Sequence, residues 1–190
     1  ITTANEDVDG NGNPVDDDTD GDLTPNYLDT DDDGDGILTS NEDLNSNGNR
    51  NDDDSDSDGT PNYLDNDDDN DGVFTINENV NGLLDSRDDD TDSYGTPNYL
   101  DTDDDDDTIL TVDENLNGVN DSRDDNTDGD ALPNFLDPDD DNDGILTVNE
   151  DLNANGNLND EDSDGDTTVN YLDNDDDNDD DAYMTCSIIL

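Results

Sequence analysis

Apolar positions along this chain are few, short and in phase. Ile37-Leu38, Leu44 and Tyr63-Leu64 return as Val73-Phe74, Val80 and Tyr99-Leu100, and again as Ile109-Leu110, Leu116 and Phe135-Leu136. Long polar runs separate them. The Ile-Leu-Thr triads are β-prone, which predicts short strands there. Helix is expected only as a turn after Thr39 or Thr75. One apolar cluster per repeat predicts a thin ladder between successive turns, and packing the loops is the reading preferred over a carbohydrate-binding role for the tyrosines.

The polar positions keep the same phase. Pro25, Pro61, Pro97 and Pro133 are 36 residues apart, and Val169 takes the fifth place. Asn-aromatic-Leu-Asp follows each, from Asn26-Tyr27-Leu28-Asp29 to Asn170-Tyr171-Leu172-Asp173. A fixed period of this length marks a tandem array. The chain divides into five copies, 1–36, 37–72, 73–108, 109–144 and 145–180, with an apolar tail over 181–190 read as a possible contact between subunits.

Composition changes the picture. Of 190 residues, 63 are Asp or Glu and 3 are Lys or Arg, for a formal net charge of -60, and 24% are hydrophobic. Those proportions exclude a conventional apolar core and, taken alone, describe a disordered polyanion. They also exclude a basic nucleic-acid groove and a membrane span, and with no His and the lone Cys186 there is neither a histidine-based active site nor a disulfide framework. Acids scattered everywhere, without a nucleophile constellation, argue against an enzyme. Solvating acidic tails, however, require neither Asp in preference to Glu nor Asn and Gly at fixed intervals.

Calcium takes six to eight hard oxygens, and one short loop supplies them when acids recur at alternate positions, a glycine turns the chain, a carbonyl follows and an acid closes at position 12. Asp31, Asp33, Asp35, Gly36, the carbonyl of Ile37 and Glu42 meet every term. So do Asp67, Asp69, Asp71, Val73 and Glu78, and Asp139, Asp141, Asp143, Ile145 and Glu150. In Asp103, Asp105, Asp107, Ile109 and Glu114 the turn glycine is replaced by Thr108, which predicts local strain.

A second loop follows: Asp43, Asn45 and Asn47 closing on Asp54, with Asp7, Asp9, Asn11 and Asp18, and Asp151, Asn153, Asn155 and Asp162, as counterparts. Leu83 and Val119 degrade it in copies three and four. A third runs from Asp18, Asp20 and Asp22 to Asp29, and from Asp54, Asp56 and Asp58 to Asp65. Looser versions are Asp90 and Asp92 with Asp101, and Asp162, Asp164 and Asp166 with Asp173. Three loops of about twelve residues tile each copy and leave no room for flanking helices.

These Asp-x-Asp-x-Asp-Gly runs followed by Pro-Asn-Tyr-Leu-Asp resemble thrombospondin type 3 repeats, in particular cysteine-free versions from secreted and surface proteins of bacteria and archaea. The resemblance covers residues 1–180. It implies an irregular, mostly loop backbone wound around a row of calcium ions, outside the cell. Because the paired cysteines of the animal repeats are absent, calcium would have to hold the elongated, solenoid-like rod by itself, and metal-binding free energy would become folding free energy. Two to three ions per copy are expected. At about three, some 15 ions would bring roughly 30 positive charges against the acids.

The two ends are complementary in phase. Ile1 to Glu6 match Ile37 to Glu42, with Glu6 in the closing position, while Asp175, Asp177 and Asp179 match the opening acids and Cys186 stands where the closing acid would be. Head-to-tail joining through a shared calcium site is expected, a contact that produces filaments, with the tail Ala182 to Leu190 lying on the next subunit. The alternative is a monomeric calcium-binding spacer in a surface adhesin. Weak calcium loops fit an extracellular setting. Thr39, Thr75, Thr111, Thr147 and the Asn120-Asp121-Ser122 sequon are candidate glycan sites, and Arg87 and Arg123 are expected to relieve acid crowding.

Overall fold

A computed structural model describes residues 7–82, 85–118 and 122–177. The chain forms two compact units, Ile1–Thr102 and Asp103–Leu190. Among the described residues there is neither strand nor α-helix, and the regular structure consists of thirteen single 3-10 turns. They begin at Asn26, Thr39, Arg50, Asn62, Thr75, Ser86 and Asn98 in the first unit, and at Thr111, Ser122, Asn134, Thr147, Leu158 and Asn170 in the second. The steps between starts are 13, 11 and 12 residues, repeated, and they sum to the 36-residue period. Each sequence copy is thus three structural units of about twelve residues.

The strands expected at Ile-Leu-Thr do not form. Leu38, Phe74, Leu110 and Leu146 are extended, with φ near -65° and ψ of 134° to 142°, but each is followed at once by a 3-10 turn that starts at the threonine. A β-prone residue gains stability from a pleated neighbour, and no strand lies alongside among the described residues. The turn after Thr39 and Thr75 forms as expected, over Thr39–Asn41 and Thr75–Asn77.

Proline sets up the other recurrent turn. Pro25, Pro61, Pro97 and Pro133 hold φ between -63° and -70° with extended ψ, and the next three residues close the turn, with Leu64 N–H donating to the Pro61 carbonyl at 2.9 Å. The ring fixes φ at a position that donates no backbone hydrogen bond to the turn. Val169 adopts φ -81° and ψ 150°, so the fifth copy keeps the geometry without the ring.

Two kinds of hydrogen bond cinch the loops. The N–H that opens a turn reaches the carbonyl nine residues back: Asn62 to Asp53 at 3.0 Å, Thr75 to Asn66 at 3.1 Å, Asn134 to Asp125 at 3.0 Å, Thr147 to Pro138 at 3.0 Å. Side chains then lock the same span. The Asn62 carboxamide accepts from Ser55 N–H at 2.9 Å and donates to the Ser55 hydroxyl at 2.8 Å. Thr19 and Asn26, Thr91 and Asn98, Thr127 and Asn134, and Ser163 and Asn170 make the same clasp.

The apolar ladder is narrower than expected. Ile37, Val73 and Ile109 are buried with Tyr63, Tyr99, Phe135 and Tyr171, and in the second unit Ile109, Leu158 and Tyr171 form a cluster. Leu38, Phe74, Leu110, Leu44, Val80 and Leu116 face solvent instead. Among the described residues, 21 Asp and Glu side chains are buried against nine hydrophobic ones. The interior is therefore mainly carboxylate, an arrangement that water-to-protein transfer strongly opposes for unpaired charges.

Candidate metal centres

The first loop of each copy gathers its acids as the spacing predicts. Carboxylate oxygens of Asp31, Asp33 and Asp35 all lie within 4.8 Å of one another. Each acid uses one oxygen to hold the loop: Gly34 N–H donates to Asp31 at 3.1 Å, Asp35 N–H to Asp33 at 3.2 Å, Ile37 N–H to Asp35 at 2.6 Å. The second oxygen of Asp33 and of Asp35 is buried with no hydrogen-bond partner, and so is that of Asp69, Asp105, Asp107, Asp141 and Asp143. Position six turns through the left-handed region, with φ of 95° at Gly36 and Gly72 and 97° at Gly144. Thr108 is forced to φ 84° in the third copy, as the missing glycine predicts. The residues expected to offer a carbonyl, Ile37, Val73 and Ile109, are buried there, and Ile145 is half-buried.

The closing acids Glu42, Glu78, Glu114 and Glu150 are all at most 2% exposed. Neither carboxylate oxygen of Glu42 or Glu114 has a hydrogen-bond partner. Burial, then the charges of Asp33, Asp35 and Asp68, pushes Glu42 up to about 10. Burial with Asp105, Asp107 and Asp140 pushes Glu114 up to about 11, and burial with Asp141 and Asp176 pushes Glu150 up to about 9.

One residue type was not anticipated. The acid at position two of the first loop, given no role by the spacing, is buried in all five occurrences: Asp32, Asp68, Asp104, Asp140 and Asp176 are 2% or 3% exposed. Its backbone N–H donates to the threonine that opens the following turn, Asp32 to the Thr39 hydroxyl at 3.0 Å and Asp68 to that of Thr75 at 3.3 Å. Asp68 lies in a buried trio with Asp35 and Glu42 of the first loop before it, all three carboxylates within 4.8 Å. The sequence signal was there, an aspartate recurring every 36 residues, but an isolated-loop template has no use for it.

The second loop opens on largely exposed residues and closes, one residue earlier than its spacing predicts, on an acid that is buried at Asp53, Asp89 and Glu161. Asp7 and Asp9 gather with Asp17. In the same place Asn45 donates through backbone and side chain to Asp53, Asn81 N–H to Asp89, and the Asn153 side chain to Glu161. Asp43 and Asp151 bind Gly48 and Gly156 N–H at 2.9 Å and 2.7 Å. The Asn11, Asn47 and Asn155 side-chain oxygens accept from the backbone two residues on. Asp18 and Asp162 instead brace the start of the third loop, accepting from Gly21 and Gly165 N–H. Leu83 and Val119 lie outside the described residues.

The third loop gathers Asp18, Asp20 and Asp22, and Asp54, Asp56 and Asp58. Its closing acid is in place: burial raises Asp65, and the charges of Asp58, Asp56 and Asp54 add to it. Asp173 is raised likewise by burial, with Asp166 and Asp164, and Asp92 feels Asp101. The fourth copy, absent from the sequence-level set, is present as Asp128 and Asp130 facing Asp137. These loops are open and mostly satisfied by their own backbone, as in Thr60 N–H to Asp58 at 2.6 Å.

A family model described as BamM C-terminal matches residues 35–83. That stretch is 49 of the 190 residues, from 83 − 35 + 1, and it includes Asp35, Glu42 and Asp68. No curated protein matches the chain.

The remaining expectations divide. The threonine hydroxyls at 39, 75, 111 and 147 do not serve as glycan sites in this fold: all are buried, and each accepts a backbone N–H from the position-two aspartate. Of the sequon, Asn120 and Asp121 lie outside the described residues, and Ser122 is buried with its hydroxyl donating to the Thr111 carbonyl at 2.8 Å. Arg87 grips Asp85 with two bonds of 2.8 Å, as expected for relief of acid crowding. No helix among the described residues is long and apolar enough to cross a membrane. Asp175 and Asp177 are described, whereas Glu6, Asp179 and the tail from Ala182 to Leu190 lie outside the described residues.

Proposed function

We propose that this chain is an extracellular structural protein whose Asp- and Asn-rich loops bind rows of calcium ions, two to three per copy, and that successive chains join head to tail into a calcium-dependent filament. The observation that carries the metal reading is the interior of buried carboxylates whose oxygens lack hydrogen-bond partners, at Asp33, Asp35, Glu42, Asp68, Glu114 and Asp140 above all. An uncompensated buried charge costs several kcal/mol, and nine buried hydrophobic residues cannot offset 21 buried acids. Divalent cations can. The donors are all hard oxygens, with no imidazole available anywhere in the sequence, and they sit on short irregular loops, which suits calcium over zinc or copper. Sites of this class fill at the millimolar calcium found outside cells. The resemblance to thrombospondin type 3 repeats supports the same setting.

Support for the assembly comes from within the chain: acids of one first loop and an acid of the next converge on one place, so half-sites on separate chains have a template for joining. Negative-stain microscopy of the protein in millimolar calcium, before and after a chelator, tests the proposal. Filaments that disperse on chelation and fail to form when Glu6→Ala is combined with Asp177→Ala are expected. Single particles at all calcium concentrations support the monomeric spacer instead.

A further inference from the structure

Asp68 belongs by sequence to the loop running from Asp67 to Glu78, yet its carboxylate does not face that loop's alternate acids alone. It lies within 4.8 Å of oxygens from Asp35 and Glu42, residues of the preceding first loop, Asp31 to Glu42. All three side chains are at most 2% exposed. Both oxygens of Asp68, both of Glu42 and one of Asp35 lack any hydrogen-bond partner. Asp33 and Asp35 press on Glu42, and Tyr99 feels Asp68, Glu42 and Asp35 as well as Arg87, whose guanidinium is held by Asp85. Five buried acceptor oxygens without hydrogen-bond partners belong to these three carboxylates, and one from each lies within 4.8 Å of the others. Protein interiors do not leave such groups unsatisfied without a ligand.

We propose that Asp35 and Glu42 of one first loop and Asp68 of the next first loop, 36 residues on, form a buried divalent-cation site that shares Asp35 and Glu42 with the single-loop site, is completed by Asp68, and ties successive loops together. The second unit repeats the set as Asp107, Glu114 and Asp140, all buried, with unpartnered oxygens on each. There Glu114 feels Asp107 and Asp140, and Tyr171 feels Asp140, Glu114 and Asp107. The position-two aspartate is therefore the piece that a first loop lends to the first loop before it. Each such site needs two successive first loops, so a single such loop standing alone has its own acids but not the joint. This inference rests on the calcium reading above and adds the coupling between successive loops.

Tyr99 and Tyr171 supply the probe. Terbium, an oxygen-seeking stand-in for calcium, emits when a nearby tyrosine is excited. The full chain is loaded with calcium, and bound ions are counted by equilibrium dialysis and mass spectrometry; terbium emission excited through tyrosine is then recorded. Asp68→Asn keeps shape and removes the charge, and it is expected to weaken its site tenfold or more, so that one ion is lost at a calcium concentration that just saturates the native protein. Asp68→Asn with Asp140→Asn is expected to lose two. Tyr99→Phe is expected to lower the sensitised emission with the ion count unchanged, a readout that holds even if Asp68→Asn fails to fold. An unchanged count in a folded Asp68→Asn chain, or unchanged emission in Tyr99→Phe, overturns the proposal while leaving the calcium reading intact. A native chain that binds no calcium overturns both.

Discussion

Glu42 and Asp68, 26 residues apart, bring carboxylate oxygens within 4.8 Å of each other, and neither side chain has a hydrogen-bond partner. Two anions held this close in a buried place define what the fold requires. Without a counterion their repulsion and desolvation oppose every turn that positions them.

Chelation is therefore expected to unfold the chain. Stripped of ions it carries a formal charge of -60, and apolar burial cannot offset about 1 to 2 kcal/mol of backbone entropy per residue. X-ray scattering should show the radius of gyration rising on addition of chelator toward the ~47 Å of an unfolded chain of this length. Return of calcium should reverse the change in two phases. The buried first-loop sites are expected to fill before the more exposed second and third loops, where backbone N–H groups already engage oxygens such as those of Asp43 and Asp58. An unchanged radius on chelation contradicts the dependence of fold on metal.

The Asn62–Ser55 clasp gives a sharper local test. Asn62 is 1% exposed and makes two side-chain hydrogen bonds, one as acceptor and one as donor. Asn62→Ala strands the Ser55 N–H, and a buried unsatisfied donor costs about 1 to 3 kcal/mol. Asn62→Asp keeps the acceptor, loses the donor and adds another buried charge. Both are expected to lower the calcium-loaded melting temperature. Ser55→Ala, which loses a single bond, should cost less than either. A melting temperature that does not order the variants in this way counts against the clasp as a stabilising element.

Thr108 is the clearest case of a residue in the wrong place. A β-branched side chain at φ 84° carries roughly 1 to 2 kcal/mol of strain, where Gly36, Gly72 and Gly144 stand in the equivalent loops. Thr108→Gly is expected to stabilise the second unit by about 1 kcal/mol after the extra chain entropy of glycine is subtracted. Thermal unfolding in excess calcium measures it, and no gain, or a loss, refutes the reading. By contrast Arg87→Ala should change stability by less than about 1 kcal/mol, because its pair with Asp85 is an exposed one.

How much of this could be read beforehand depended on distance along the chain. Asp31, Asp33, Asp35 and Glu42 were legible because one loop brings them together, and spacing along a short loop is nearly its geometry. The step of about twelve residues was legible for the same reason. Asp68 was not: its partners Asp35 and Glu42 belong to the first loop before its own, and periodicity shows that a residue recurs without showing which neighbour it meets. The second loop was misplaced by one residue, at Asp17 and Asp53, because adjacent acids in an Asp run are indistinguishable until the backbone turns. Strand propensity at Ile37 to Thr39 misled because the threonine hydroxyl is committed to Asp32 N–H, which starts a turn where a strand would continue.

Acid should act on the metal-free and the calcium-loaded protein in opposite directions. In the metal-free fold, burial first and facing acids second push Glu42 to about 10, and Asp68 and Asp140 each to about 9, against about 4 for free carboxylates. A carboxylate whose folded pKa is raised favours the folded state fully below its unfolded pKa and loses that contribution as pH climbs through the folded value. The chelated chain should therefore gain order as pH falls from about 9 to below about 4, where protons neutralise the buried acids in place of ions. The calcium-loaded chain should lose ions and stability over the acid range, because its ligands must be deprotonated to bind. Amide exchange at Asn62 and Thr75, whose N–H groups cinch the loops, separates ordered turns from mere collapse of a neutralised polyanion. Protection that rises on acidification with chelator and falls with calcium is the expected pair of results; the same sign in both would refute the assignment of the buried carboxylates as the groups that cations satisfy.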